Sequence, residues 1–141
     1  PTDRVRIGRY DTVAKTWGYV YYALDAVESP NGGWVGLSEL SHVEGDTFLV
    51  LERDDQGGTD ARVKRLYTVS VAGVTFRDHA QTPAFDTLAK ALVLDVLAAG
   101  SYDATGGPVP EKLEGAAVLA NGDVLIVNDN DGVEDNSGET V

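Results

Sequence analysis

Apolar residues in this chain fall in short runs separated by clusters of Gly, Pro, Asp and Asn. Residues 4–10 (RVRIGRY) and 18–25 (GYVYYALD) are rich in β-branched and aromatic residues and flank a turn-sized connection. That pattern predicts a β-hairpin. A loop at 28–34 (ESPNGGW) follows, then strands at 35–41 and 47–53, a polar loop at 54–60 and a strand at 63–71. Residues 85–98 are ambiguous, because Ala and Leu favour a helix while 92–97 suits a buried strand. The β surroundings favour a strand at 91–96, with room for a helical turn before it. A Gly- and Pro-containing linker spans 99–111, and strands at 114–119 and 124–128 complete the set.

Two of these segments resemble each other. GLSELSHVEGDTFLVLERDD at 36–55 and GAAVLANGDVLIVNDND at 115–131 each begin with Gly and an apolar strand, turn at Gly-Asp and end in acids. The turns at Gly45 and Gly122 lie 77 residues apart. On that alignment Gly36 matches Gly115, Phe48 matches Leu125 and Glu52 matches Asp129. A long-period repeat of a β unit predicts radial or linear repetition. The strands group as a hairpin (4–25), a set of four (35–96) and a final pair (112–131). The fold expected is all-β, a partial β-propeller of about two four-stranded antiparallel blades. Two blades do not close a ring, so the chain reads as a fragment of a larger propeller. Its open edges would be completed by blades of the same longer protein or of another chain.

Composition narrows the functional classes. The net charge is −12, and residues 94–141 hold ten acids against one base, Lys112. Such a field repels nucleic acid and anionic membranes and attracts cations. No apolar run is long enough to span a bilayer. The chain has no Cys, which removes thiolate chemistry and disulfides, and no Met, so Pro1 is expected to begin a processed chain or a fragment.

Four places carry candidate chemistry. Asn128, Asp129, Asn130 and Asp131 set four oxygen-bearing side chains in a row, which suits a hard cation such as calcium. The same residues equally suit an Asx-rich turn that caps its own backbone. Glu52-Arg53-Asp54-Asp55 holds the matching place in the first repeat. There Glu52 is a further candidate metal ligand, and Arg53 is either a clamp for phosphate or carboxylate or one half of a solvated ion pair. Glu39 and Glu114 lie on the strands that would line a central channel. They are candidates for cation binding or general-base work, or for pairing with a neighbouring Arg or backbone amide. His42, His79 and Ser38 lack a metal-ligand or nucleophile-elbow context, and the aromatics Trp17, Trp34, Tyr19, Tyr21 and Tyr22 suit either packing or ring stacking.

RIGRYD, GYVYYALD, GLSEL, FLVLERD, VKRLYTVSV, LVLDV, LEGAAVL and VLIVNDND occur in that order across residues 4–131. In this the chain resembles the C-terminal part of the phytase-like family named for "esterase-like activity of phytase". It departs in carrying Ala116 after the Glu-Gly pair and in lacking the family's earlier blades. The resemblance implies a hydrolase of a small ester or phosphoester in an exported bacterial protein, extracellular or periplasmic. Calcium would gather at carboxylates around the channel mouth, with Glu39, Glu52, Glu114, Asp129 and Asp131 as candidates. The alternative is a non-catalytic module that binds or assembles through its open sheet edges.

Overall fold

The computed structural model describes residues 3–81, 85–98 and 109–129. These residues form strands with short 3-10 turns at 58–60 and 79–81 and no α-helix. The chain is all-β, as the alternating runs require. Strands β1 (Arg4–Asp11) and β2 (Thr16–Ala23) make an antiparallel hairpin. Strands β3 (Val35–Glu44), β4 (Thr47–Asp54), β5 (Lys64–Ser70) and β7 (Lys90–Asp95) form an antiparallel sheet in the order β3-β4-β5-β7. Strands β8 (Leu113–Val118) and β9 (Val124–Asn128) form a second hairpin. The ambiguous segment is extended, because it supplies the partner that the β5 edge needs and sends Val96 into the core.

The four-stranded sheet is covered by a hairpin on each face. Side chains alternate along a strand, so β4 sends Leu49 and Leu51 one way and Val50 the other. Leu49 and Leu51 pack with Leu66, Val96, Leu113 and Ala116 against the β8–β9 hairpin. Val50 packs with Val69, Val20, Tyr22 and Leu88 against the β1–β2 hairpin. Every residue from Leu49 to Asp54 is therefore buried, the signature of a strand covered on both sides. Among the described residues β1, β3 and β9 each pair on one side only, and no ring is closed.

The connection from β5 to β7 leaves its own sheet. It bridges Tyr19 to Arg77, lays strand β6 (Thr87–Leu88) parallel to β2 and packs Phe85 against Tyr19 and Tyr21. The first two sheets are thus joined by hydrogen bonds as well as by apolar contact.

Both hairpins of the repeat carry a bulge in the first strand. In the first it falls between Leu37 and Glu39, in the second between Leu113 and Gly115. Matching the bulges sets Leu37 in step with Leu113, Phe48 with Val124 and Glu52 with Asn128, all 76 residues apart. The alignment drawn through the Gly-Asp turns is corrected accordingly. A second irregularity between His42 and Glu44 leaves only Gly45 and Asp46 in the first turn. In the second turn the closing bond runs from the Leu119 amide to the Asp123 carbonyl. Similar turn residues therefore sit one place apart, and Ser38 rather than Gly36 corresponds to the neighbourhood of Glu114.

Replacing Leu51, fully buried between two sheets, should show how far this core carries stability. We expect Leu51→Ala to lower the unfolding free energy by about 3 kcal/mol in urea titrations. Leu92→Ala, on the exposed side of β7, should stay within about 0.5 kcal/mol.

Candidate functional site

Strand β4 ends in three consecutive charged residues, and all three are buried: Glu52 is 0% exposed, Arg53 6% and Asp54 0%. A buried charge is tolerated only when paired and hydrogen-bonded. Period-2 geometry sends Glu52 toward β2 and Arg53 toward β8, so each must find partners in a different inter-sheet space.

On the β2 side, Glu52 Oε2 accepts from the Tyr22 hydroxyl at 2.5 Å and from Lys90 Nζ at 2.8 Å. Its Oε1 accepts from the Asp25 amide. Lys90 also reaches Asp25 Oδ1 at 2.7 Å and lies 4.3 Å from the Tyr67 ring centroid. Asp25 Oδ2 accepts from Arg65 and from the Tyr67 hydroxyl, both at 2.6 Å. Arg65 extends the network to Glu28 and Asp95. Burial works to raise the Asp25 pKa, but Lys90, Tyr67 and Arg65 outweigh it and hold it down at about 2. Burial, reinforced by the bond to Glu52, raises the Tyr22 hydroxyl above its ordinary value.

At the strand end, Lys64 and Asp54 form an ion pair at 2.7 Å with no solvent exposure on either side chain. Asp54 Oδ2 accepts from the amides of Arg62 at 2.6 Å and Val63 at 2.9 Å. Lys64 Nζ also donates to the carbonyls of Asp54, Gln56 and Glu111. Desolvation lowers the Lys64 pKa even beside Asp54. With its donors filled, this ammonium acts as a clasp between the β4–β5 loop and the approach to β8.

On the β8 side, Arg53 Nε donates to Ser38 Oγ at 2.9 Å and Nη2 to Glu114 Oε1 at 2.8 Å. Nη1 reaches the Asp54 carbonyl at 3.3 Å. The guanidinium carbon lies 5.1 Å from the Trp34 ring centroid. Ser38 and Glu114 are the bulge residues of the two hairpins, so a bulge in each repeat aims a side chain at the same cation. Trp34 lies across Gly36, where a Cβ would stand 2.9 Å from the ring. The cluster is rooted but accessible: Arg53 is buried, whereas Glu114 is 41% and Trp34 50% exposed. It offers a carboxylate, a hydroxyl, a cation and a ring face at one end of the sheets.

The remaining candidates fall elsewhere. The Glu39 carboxylate accepts from the Leu40 amide at 2.8 Å and borders an open hollow of about 520 Å³ with Gly115, Ala117 and Val127. Asn128 pairs with Leu113, and the Asp129 amide bonds to the Lys112 carbonyl at 2.9 Å. Asn130 and Asp131 lie outside the described residues. Both Glu52 oxygens hold protein donors, on the β2 side of β4. Among the described residues no three of His, Cys, Asp and Glu gather to hold a metal ion. His42 bonds the Gly45 carbonyl, and His79 faces Arg6. Sequence reasoning missed Asp25, Arg65, Tyr67, Lys90 and the Asp54–Lys64 pair. The available signal was the run Lys64-Arg65, which stands opposite Arg53 and Glu52 in the β4–β5 register.

The model of a family described as "Phytase-like: Esterase-like activity of phytase" matches residues 1–132. No curated protein and no solved structure matches the chain.

Two outcomes follow from the buried charges. Lys64→Met strands the Asp54 carboxylate and should cost about 3–5 kcal/mol in denaturant titrations, with part of the loss restored in Lys64→Met/Asp54→Asn. For Asp25, a depressed pKa means that its contribution is complete above its ordinary value of 3.8 and is lost as pH falls toward about 2. Asp25→Asn should therefore be less stable at neutral pH, and its unfolding free energy should lose slope between those two pH values.

Proposed function

This chain belongs to the phytase-like family, and we propose that it forms part of a β-propeller that hydrolyses an ester or phosphoester. The observation that carries this reading is the convergence of Ser38 and Glu114 on Arg53 at the accessible end of the sheets. Residues 4–25 would be the hairpin of a preceding blade, 35–96 one blade and 112–131 the first half of the next. Face-to-face stacking of three sheets supports that division. The remaining blades come from the same longer protein or from another chain.

In this reading the part-exposed Glu114 accepts the proton of the attacking water. Arg53 fixes the direction of Glu114 and presents positive charge to an anionic ester. Ser38 holds the guanidinium from the other side, and Trp34 gives the substrate an apolar wall. Asn128–Asp131 would hold calcium, which supplies charge compensation for a phosphoester and acidifies bound water. Asn128 and Asp129 offer oxygen donors of the right kind at the end of β9, and no step above depends on the ion.

A second reading rests on a separate observation. Leu125 and Val127 point outward from β9 with 57% and 61% exposure, beside an unpaired edge. That favours a module whose role is to dock on a further sheet.

Hydrolysis of p-nitrophenyl acetate and p-nitrophenyl phosphate, with and without EDTA, separates the readings. Glu114→Gln should lower kcat by roughly 100-fold if Glu114 is the general base. Absence of turnover by the wild type in both assays favours the docking module. Calcium should raise Tm beyond sodium at matched ionic strength, and Asp129→Asn should reduce that rise. Equal shifts with the two cations would mean that the Asn128–Asp131 run is only a turn.

A further inference from the structure

A second cavity lies at the other end of the sheets, away from Arg53. It encloses about 250 Å³ between the β1–β2 hairpin and the four-stranded sheet. Ile7, Leu40, Phe48, Val69 and Phe76 give it apolar walls from four strands and the connection after β5. Its volume is small beside that of drug-sized ligand sites, so it suits a short alkyl chain or a single ring.

One charged group lines this cavity, Arg9. Its guanidinium carbon sits 4.1 Å from the Phe76 ring centroid. The close approach depends on Gly18, the residue paired with Arg9, where a Cβ would stand 2.7 Å from Phe76 Cβ. Arg4, Arg53, Lys64, Arg65, Arg77 and Lys90 all have carboxylate partners. Among the described residues Arg9 makes no ion pair, as is also true of Arg6, Lys15 and Arg62, and the Asp11 carboxylate two residues along β1 acts on it only through space. The chain as a whole carries a net charge of −12, and its acids outnumber its bases by 23 to 11. The segment 3–18 reverses that balance, with Arg4, Arg6, Arg9 and Lys15 against Asp3 and Asp11.

We propose that this cavity is a binding site for a small amphiphilic carboxylate, with the apolar chain between the sheets and the carboxylate on Arg9. An apolar slot explains the chain, and a guanidinium at its rim that makes no ion pair selects the anion, since a charge-assisted bond to carboxylate outweighs one to a neutral hydroxyl. The site is separate from the Arg53 cluster and stands whether or not the chain hydrolyses esters.

The test is a titration of the purified protein with sodium octanoate, 1-octanol and octyltrimethylammonium, followed by methyl NMR. Octanoate should shift the Ile7, Leu40 and Val69 methyls saturably and bind roughly tenfold tighter than octanol. Octyltrimethylammonium should bind more weakly than either. Arg9→Gln, an exposed substitution, should bring octanoate to the octanol level while leaving octanol unchanged. Val71→Phe, which fills the slot, should abolish binding of both. Equal affinity for octanoate and octanol, an unchanged octanoate affinity in Arg9→Gln, or no saturable shift at these methyls would overturn the proposal. The last result would mean that the cavity is only a packing gap between sheets.

Discussion

Burial of the Glu52-Arg53-Asp54 run at the end of β4 is the constraint around which the rest is arranged. A strand covered on both faces has no solvent into which a charge can turn. Each of the three must be matched by the protein, and a half-matched set would cost more than an apolar core. Alternation distributes the demand. Glu52 draws on β2 and on Lys90 of β7, Arg53 draws on both bulges, and Asp54 draws on Lys64 and the loop behind it. The apolar layers on either side fix the distance between the sheets, and the charges fix their register.

This arrangement separates two roles that look alike in sequence. The Glu52 and Asp54 carboxylates are enclosed, with their oxygens committed to protein donors, and they serve as joints. The Arg53 network has one buried member, Arg53, a half-buried one, Ser38, and two accessible ones. Its cation is held rigidly while Glu114 and Trp34 face outward, the combination that a binding or catalytic site requires. The bulges make this geometry. Without the extra residue in β3 and β8, the side chains at 38 and 114 would follow the pleat and part company.

Much of the fold was legible in the pattern of apolar positions. The eight main strands lie close to where alternating runs and turn residues place them, and the extended form of 91–96 follows from its neighbours. Strand β6 was not legible, because two residues carry no period and their pairing with β2 is set by a distant chain crossing. The repeat was visible, but its phase was not. Gly-Asp is a signal of turn chemistry, and the irregularity at Val43 moves the turn without moving the strands. The site was partly legible. Arg53 and Glu114 were singled out, yet their contact depends on the bulges, which sequence does not announce. Treating 52–55 as one acidic cluster overlooked that neighbours on a strand face opposite ways, and this is why Glu52 and Arg53 find their partners in different inter-sheet spaces. The partners Asp25 and Lys90 lie 27 and 38 residues from Glu52 along the chain, beyond the reach of local pattern.

If the charged end of β4 joins all three sheets, they should open together. Native-state hydrogen exchange in wild type and Glu52→Gln tests this directly. The β4 amides from Leu49 to Asp54 should be among the slowest to exchange. The substitution should lower protection in β2, β4 and β8 by the same free energy, although Glu52 touches only the first of the neighbouring hairpins. Loss of protection confined to β1 and β2, with β4 and β8 unchanged, would contradict the account and reduce Glu52 to a local contact.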